Sequence, residues 1–285
     1  MTQSPYLVTP QWIAERRADP LLFTVDATLN PPGDTVSPSP YSLYLEEHIP
    51  GAVFFDIEAL SDPSSPYPHM LPTPADFATA VGKLGIPTGA KIVVYERANL
   101  FSSPRVWWTF KTFGVAEVYV LDGGLAAWKS LNYPLQSGPN PRPPASFVPT
   151  YNPNAVSNIQ QVRQASATHS AQILDARSAA RFNATAPEPR AHLRSGHMPN
   201  ATSLPYTEVL ANGRLKPVED LQTLFAANQI NLAGPIITTC GSGVTAAVLS
   251  LALASVQAPH TTLYDGSWTE WATAHAAGKD APILP

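Results

Sequence analysis

One cysteine, Cys240, stands in a chain of 285 residues. With no second thiol, an intramolecular disulfide, a Cys-only zinc site and any dithiol motif are excluded. A reducing compartment is expected, cytoplasmic or alternatively mitochondrial. Charge is also sparse: 17 Lys and Arg against 21 Asp and Glu give a net charge of -4, and Arg16–Arg17 is as long as any basic run becomes. Nucleic acid held by phosphate neutralisation is therefore excluded as a partner. No apolar run approaches the length of a membrane-spanning helix, so no membrane partner is expected. Met1 to Pro10 lacks a basic segment followed by an apolar one, so no secretory signal is expected. Glu15 and Asp19 flank the early arginine pair, unlike an acid-poor transit peptide. At 44% hydrophobic residues the chain has ample material for a core.

What the chain does have is internal similarity. Phe23-Thr24-Val25-Asp26-Ala27 answers to Gln172-Ile173-Leu174-Asp175-Ala176, and His48-Ile49-Pro50-Gly51-Ala52 to His197-Met198-Pro199-Asn200-Ala201, both 149 residues on. Ile92-Val93-Val94-Tyr95 answers to Ile236-Ile237-Thr238-Thr239 at 144. Leu121-Asp122-Gly123-Gly124 answers to Tyr264-Asp265-Gly266-Ser267 at 143. Four blocks in one order at nearly one offset predict a duplicated unit. Between the copies six prolines fall in residues 139–153. Proline fixes φ and removes a donor, so an extended connector is expected. The predicted division is a first domain over 1–135, a linker over 136–154 and a second domain over 155–285.

Short β-branched or aromatic runs predict strands at Phe23–Asp26, Ile92–Tyr95, Val118–Leu121, Ile173–Asp175, Ile236–Thr239 and Thr261–Tyr264. Thr9-Pro10 and Thr73-Pro74 read as helix starts, a capping hydroxyl followed by proline in the first turn. The Ala- and Leu-rich stretch Val244 to Val256 predicts a buried helix. Strand–helix alternation gives an α/β fold class, with each domain a parallel sheet flanked by helices. Ligands then belong at the carboxyl ends of the strands.

Cys240 sits there. The run Ile236-Ile237-Thr238-Thr239-Cys240-Gly241-Ser242-Gly243-Val244-Thr245-Ala246 reads as strand, tight loop and helix start. Such a loop turns backbone N–H groups around one point, and the helix end adds positive dipole, so a thiolate is favoured over a thiol. A phosphatase would need arginine six residues after the cysteine, and Ala246 is there. A cysteine protease or acyl transferase needs a histidine base, and none is adjacent in sequence. Gly241-x-Gly243-x-x-Ala246 with Asp265 beyond also fits a relaxed dinucleotide fingerprint. The first copy argues against that reading, because it keeps Asp122-Gly123 yet carries Tyr95-Glu96-Arg97-Ala98-Asn99 where glycines would be needed.

Cys240 to Ala246 resembles the active-site loop of the mercaptopyruvate sulfurtransferases, the tandem-rhodanese family. The resemblance spans nearly the whole chain. It includes Phe54-Phe55-Asp56-Ile57, Ser65-Pro66-Tyr67, His69-Met70-Leu71-Pro72, Pro104-Arg105-Val106-Trp107-Trp108, Glu188-Pro189-Arg190, Gly196-His197 and Tyr264-Asp265-Gly266-Ser267-Trp268. It implies two rhodanese-like domains of which only the second is catalytic, since Glu96 stands where the first would carry cysteine. It implies sulfur transfer through a Cys240 persulfide, from mercaptopyruvate to a thiol such as thioredoxin or glutathione, or to cyanide, with no cofactor and no metal.

By the same resemblance Arg181 and Arg190 bind the donor, together with the loop residues Gly241, Gly243, Val244 and Thr245. Ser242 is polarised through His69 and an acid from the first half. Glu58 stands where the family usually has Asp, with Asp62 as the nearby alternative. Neutral residues after Cys240 favour the monoanionic mercaptopyruvate over dianionic thiosulfate. A thiosulfate sulfurtransferase is the alternative expectation, and a non-catalytic sulfur carrier the third. His48 and His197 are expected to be structural, Asp26 and Asp175 to brace loops, and Trp107, Trp108, Trp128 and Trp271 to pack.

Overall fold

The computed structural model describes residues 2–34, 36–97 and 99–285; Ala98 of the Tyr95–Asn99 segment lies outside them. The first half runs β1 (Leu7–Val8), α1 (Pro10–Arg16), β2 (Leu22–Asp26), α2 (Pro40–Glu46), β3 (Val53–Phe54), α3 (Pro74–Lys83), β4 (Lys91–Tyr95), α4 (Ser103–Thr112), β5 (Val118–Leu121) and α5 (Gly124–Ser130). The second runs β6 (Val156–Ser157), α6 (Ile159–Thr168), β7 (Gln172–Asp175), α7 (Ala179–Phe182), β8 (Ala201–Ser203), β9 (Leu210–Ala211), β10 (Arg214–Leu215), α8 (Val218–Ala227), β11 (Ile236–Thr239), α9 (Ala246–Ser255), β12 (Thr261–Tyr264) and α10 (Ser267–Ala276).

Two five-stranded parallel sheets result, ordered β1-β5-β4-β2-β3 and β6-β12-β11-β7-β8. The two orders are the same permutation of chain order, as a duplication requires. Every predicted strand forms, three of them one residue longer at the start. Thr9 and Thr73 cap α1 and α3 by accepting from Trp12 N and Asp76 N, each ahead of a proline. The predicted Val244–Val256 helix starts two residues later, because Val244 and Thr245 are still in the turn that closes the cysteine loop.

The halves share one core. α4 is buried from Ser103 through Phe110, and α9 is buried on every side except at Ala254. A helix apolar all round belongs at the centre of a structure, and here α4 and α9, equivalent in the two copies, pack on each other. One continuous apolar cluster runs from Phe23 and Phe77 in the first half to Leu249 and Leu263 in the second. The proline-rich crossing lies extended over the first half. Ala145 N donates to Gly82 O, Thr150 N to Phe113 O, and Phe147 is buried beside Phe77. No described helix is long and apolar enough to cross a membrane.

The expectations for the bracing residues hold. His48 Nδ1 is 2.8 Å from Tyr44 O and His197 Nδ1 is 3.0 Å from Phe182 O, each pinning its turn to the preceding helix. Asp26 accepts from Thr28, and Asp175 from Arg177. Trp107, Trp108, Trp128 and Trp271 are all in the core.

Candidate active site

β11 ends at Thr239 and aims Cys240 at the seam between the halves. The loop hangs from the first turn of α10. Trp268 N donates to Cys240 O at 2.9 Å, Thr269 N and Oγ1 donate to Gly241 O at 3.0 and 2.7 Å, and Cys240 N donates to Ser267 Oγ at 3.3 Å. With those carbonyls engaged, the N–H groups of residues 241–245 have no protein acceptor among the described residues. They collect ahead of α9 and form a site for negative charge.

The two glycines of the loop serve different purposes. Gly243 has φ +77°, a conformation that disfavours a side chain, and a Cβ there would lie 2.8 Å from Arg105 Nη1. Gly241 has no unusual φ. A Cβ there would come within 3.0 Å of Arg181 Nη2. One glycine admits the bend, and both admit an arginine.

A small pocket of about 50 Å³ is lined by Cys240, Gly241, Ser242, Val244 and Thr245 from the loop, by Arg181 and Arg190 from the second half, and by Leu29, Pro32, His69 and Phe101 from the first. Cys240 forms part of its wall with 2% of its surface exposed. A larger cavity, about 410 Å³, lies alongside in the first half, between the 28–34 loop and α2; it shares Leu29 and Pro32 with the small pocket and reaches Glu58.

Ser242 Oγ is 2.9 Å from His69 Nδ1, and His69 Nε2 is 2.8 Å from Glu58 Oε1. Three residues that the sequence separates by up to 184 positions thus form one line. The extra methylene of Glu does not prevent contact. Asp62 is directed elsewhere, accepting from Ser64 N and Oγ. Glu58 is held below the ordinary carboxylate range, chiefly by the hydrogen bond from His69. Ser242 does not cap α9, and Thr245, which precedes that helix, makes no capping bond either. Thr245 only lines the pocket.

Arg181 does not stand free. Its Nε and Nη2 both donate to Glu188, which also accepts from Arg177 at 2.8 Å. Arg177, fully buried, is gripped by Asp175 and stacks 4.0 Å above the ring of Trp268. Arg190 feels both neighbours: burial draws its pKa down, against the pull of Cys240 and Glu58. Arg177 and Asp175 were not expected at the site. Their signal was an Arg two residues after the repeated strand-end Asp, where the first copy has Thr28.

The first copy shows what replaces the thiol. Glu96 is fully buried and accepts from the amides of Phe101, Ser102 and Ser103 and from both serine hydroxyls. Desolvation raises its pKa. The side chain fills its own anion cradle, leaving no room for another anion.

Comparison with known proteins agrees with this geometry. The Rhodanese-like domain family matches residues 9–131 and again 158–274. The chain is 46% identical over 280 residues to an Escherichia coli 3-mercaptopyruvate sulfurtransferase, covering 98% of each, and 39% identical to a bovine thiosulfate sulfurtransferase, covering 93% of this chain and 91% of the other. It superposes on the crystal structure of an E. coli protein described as a 3-mercaptopyruvate sulfotransferase with a TM-score of 0.86 at 45% identity, over 94% of this chain and 99% of that one. Two matching domains, a cysteine loop in the second and relatives along the whole length put the chain in the rhodanese-like family, as a tandem-domain sulfurtransferase.

Proposed function

We propose that this sulfurtransferase takes its sulfur from 3-mercaptopyruvate and carries it as a persulfide on Cys240. The observation that supports this most directly is the line Ser242–His69–Glu58 entering the same pocket as Cys240, Arg181 and Arg190. Thiosulfate has no carbonyl for such a line to polarise. Charge supports the same choice. Gly241 and Ser242, which follow Cys240, are neutral and add no cation for a dianion to meet, which suits a single carboxylate.

In this reading Arg181 and Arg190 hold the donor's carboxylate and carbonyl through planar forks. The Cys240 thiolate attacks the donor sulfur, and the bond between that sulfur and C3 breaks. Its electron pair forms the enolate of pyruvate, whose oxygen Ser242 stabilises by a hydrogen bond relayed from His69 and Glu58. The proton of the donor thiol goes to C3, and pyruvate leaves. The amides of residues 241–245, Gly241 and Gly243 among them, stabilise the remaining persulfide anion, while Val244 and Thr245 shape the wall. An outside thiolate, such as glutathione or thioredoxin, or cyanide then attacks the outer sulfur, and Cys240 leaves as thiolate. With a single cysteine the chain has no resolving thiol of its own. We assign transfer to the unit over 155–285, with 1–135 supplying His69 and Glu58 across the 136–154 crossing. Thiol acceptors suit a reducing compartment, cytoplasmic or mitochondrial.

The test is intact mass after incubation with mercaptopyruvate. One added sulfur is expected on the native protein and none on Cys240→Ser; an unmodified native protein rejects the proposal. The bovine relative's name supplies the second reading, in which thiosulfate is preferred. Turnover on both donors separates them, and a higher kcat/KM for thiosulfate would overturn the donor assignment.

A further inference from the structure

We infer that Arg105, on the first turn of α4 in the non-catalytic half, is a positioning residue that holds the His69 segment and the cysteine loop in register. It acts through the Ser242–His69 contact and so rests on the relay reading above.

Arg105 is 2% exposed and reaches across the seam. Its Nη1 donates to Gly243 O at 3.3 Å, and its Nη2 donates to His69 O and stands 2.7 Å from Asp265 Oδ1. The other oxygen of Asp265 accepts from Leu71 N at 2.7 Å. One guanidinium and one carboxylate thereby join the 69–71 segment, the 240–245 loop and the end of β12. Trp108, one turn further along α4, lies 4.7 Å below the guanidinium and fixes its plane.

Two backbone features meet at this clamp. His69 has φ +62°, in the left-handed region that few residues other than glycine occupy. Its own carbonyl is one of the groups that Arg105 engages. Gly243 is the loop's left-handed residue, and the space that a Cβ would fill there is occupied by Arg105 Nη1. Arg105 itself is fixed from behind. Glu96 takes the amides of Phe101, Ser102 and Ser103, anchoring the start of the helix that carries it. The Glu that disables the first copy thus secures the arm with which that copy serves the second. Lysine is a poor substitute, because its three donors radiate from one nitrogen and do not reproduce the separation of Nη1, on Gly243 O, from Nη2, on His69 O and Asp265.

The experiment is a double-mutant cycle in single-turnover persulfide formation with mercaptopyruvate, using Arg105→Lys and Ser242→Ala. Misplacement by about 1 Å can cost roughly 100-fold, so Arg105→Lys is expected to lower the rate by about that factor with KM changed less than about threefold. In the Ser242→Ala background the same substitution is expected to cost under about threefold, because the contact it maintains is already gone. If Lys proves too disruptive to fold, Arg105→Met with Asp265→Asn removes both charges together and is read in the same cycle. Equal losses in both backgrounds, or no loss at all, would overturn the role of Arg105 while leaving the relay intact. A silent Ser242→Ala would remove the relay, and the inference with it.

Discussion

The two halves share a strand order but divide the chemistry. At the end of β11 the second half carries a thiol whose loop amides are unengaged; at the end of β4 the first carries a carboxylate that consumes its loop amides. After the strand-end Asp the second half has Arg177, locked to Glu188 and through it to Arg181, where the first has Thr28. Among the described residues, the two ion pairs between the halves also differ: Arg105–Asp265 is buried, whereas in Arg214–Asp122 the arginine side chain is half exposed. The lesson is that the copy without a thiol still serves the copy that has one. The first half contributes His69, Leu29, Pro32 and Phe101 to the second half's pocket, and Glu58 stands behind His69.

The comparison breaks most sharply at the nucleophile. Cys240→Ser is expected to abolish the sulfur adduct in intact mass, and adding Glu96→Cys is expected not to restore it, because among the described residues no arginine lines the cavity beside position 96. Next come the borrowed residues. His69→Ala is expected to lower kcat with mercaptopyruvate by about 100- to 1,000-fold, the range for lost proton-transfer and oxyanion groups. Glu58→Gln should cost less, since the histidine stays in place; steady-state kinetics on the two purified variants ranks them.

Stability separates the buried pair from the exposed one by a smaller margin. Arg177→Met leaves Asp175 buried without its partner and Glu188 with Arg181 alone, and is expected to cost about 3–5 kcal/mol in denaturant unfolding. Arg214→Ala, at the exposed pair, is expected to cost at most about 1 kcal/mol. The finest distinction is in pH. Glu96 has a folded pKa raised above its ordinary 4.5, so the folded state binds the proton more tightly. Its contribution is fully present below that value and is lost as pH rises through the folded pKa. Glu58 is lowered from 4.5 and does the reverse, contributing above that value and losing it as pH falls. Unfolding measured from pH 4 upward should therefore show a falling stability component that Glu96→Gln removes and Glu58→Gln leaves unchanged.

Much of this was legible in the chain itself. The strands were marked by β-branched runs, the first helices by Thr-Pro, and the duplication by repeated Asp and His-x-Pro signatures. The cysteine loop was legible because glycine spacing encodes local backbone shape. What sequence could not give was orientation across the seam. Glu58 over Asp62 as the partner of His69 depends on where the 54–70 segment folds back, which no local pattern encodes. Arg105 and Asp265 lie 160 residues apart, and only the packing of α4 on α9 brings them together. Asp265 had suggested a ribose contact; instead its carboxylate meets Arg105 and the Leu71 amide.

The near-complete enclosure of Cys240 has a consequence for whatever collects the cargo. With 2% of the residue open to solvent and a pocket wall supplied by both halves, Cys240 favours a slim partner. Cyanide and small thiols pass such an aperture on size alone. A protein recipient has to present its thiol on a projecting loop, and bulky bystanders are turned away before any reaction begins.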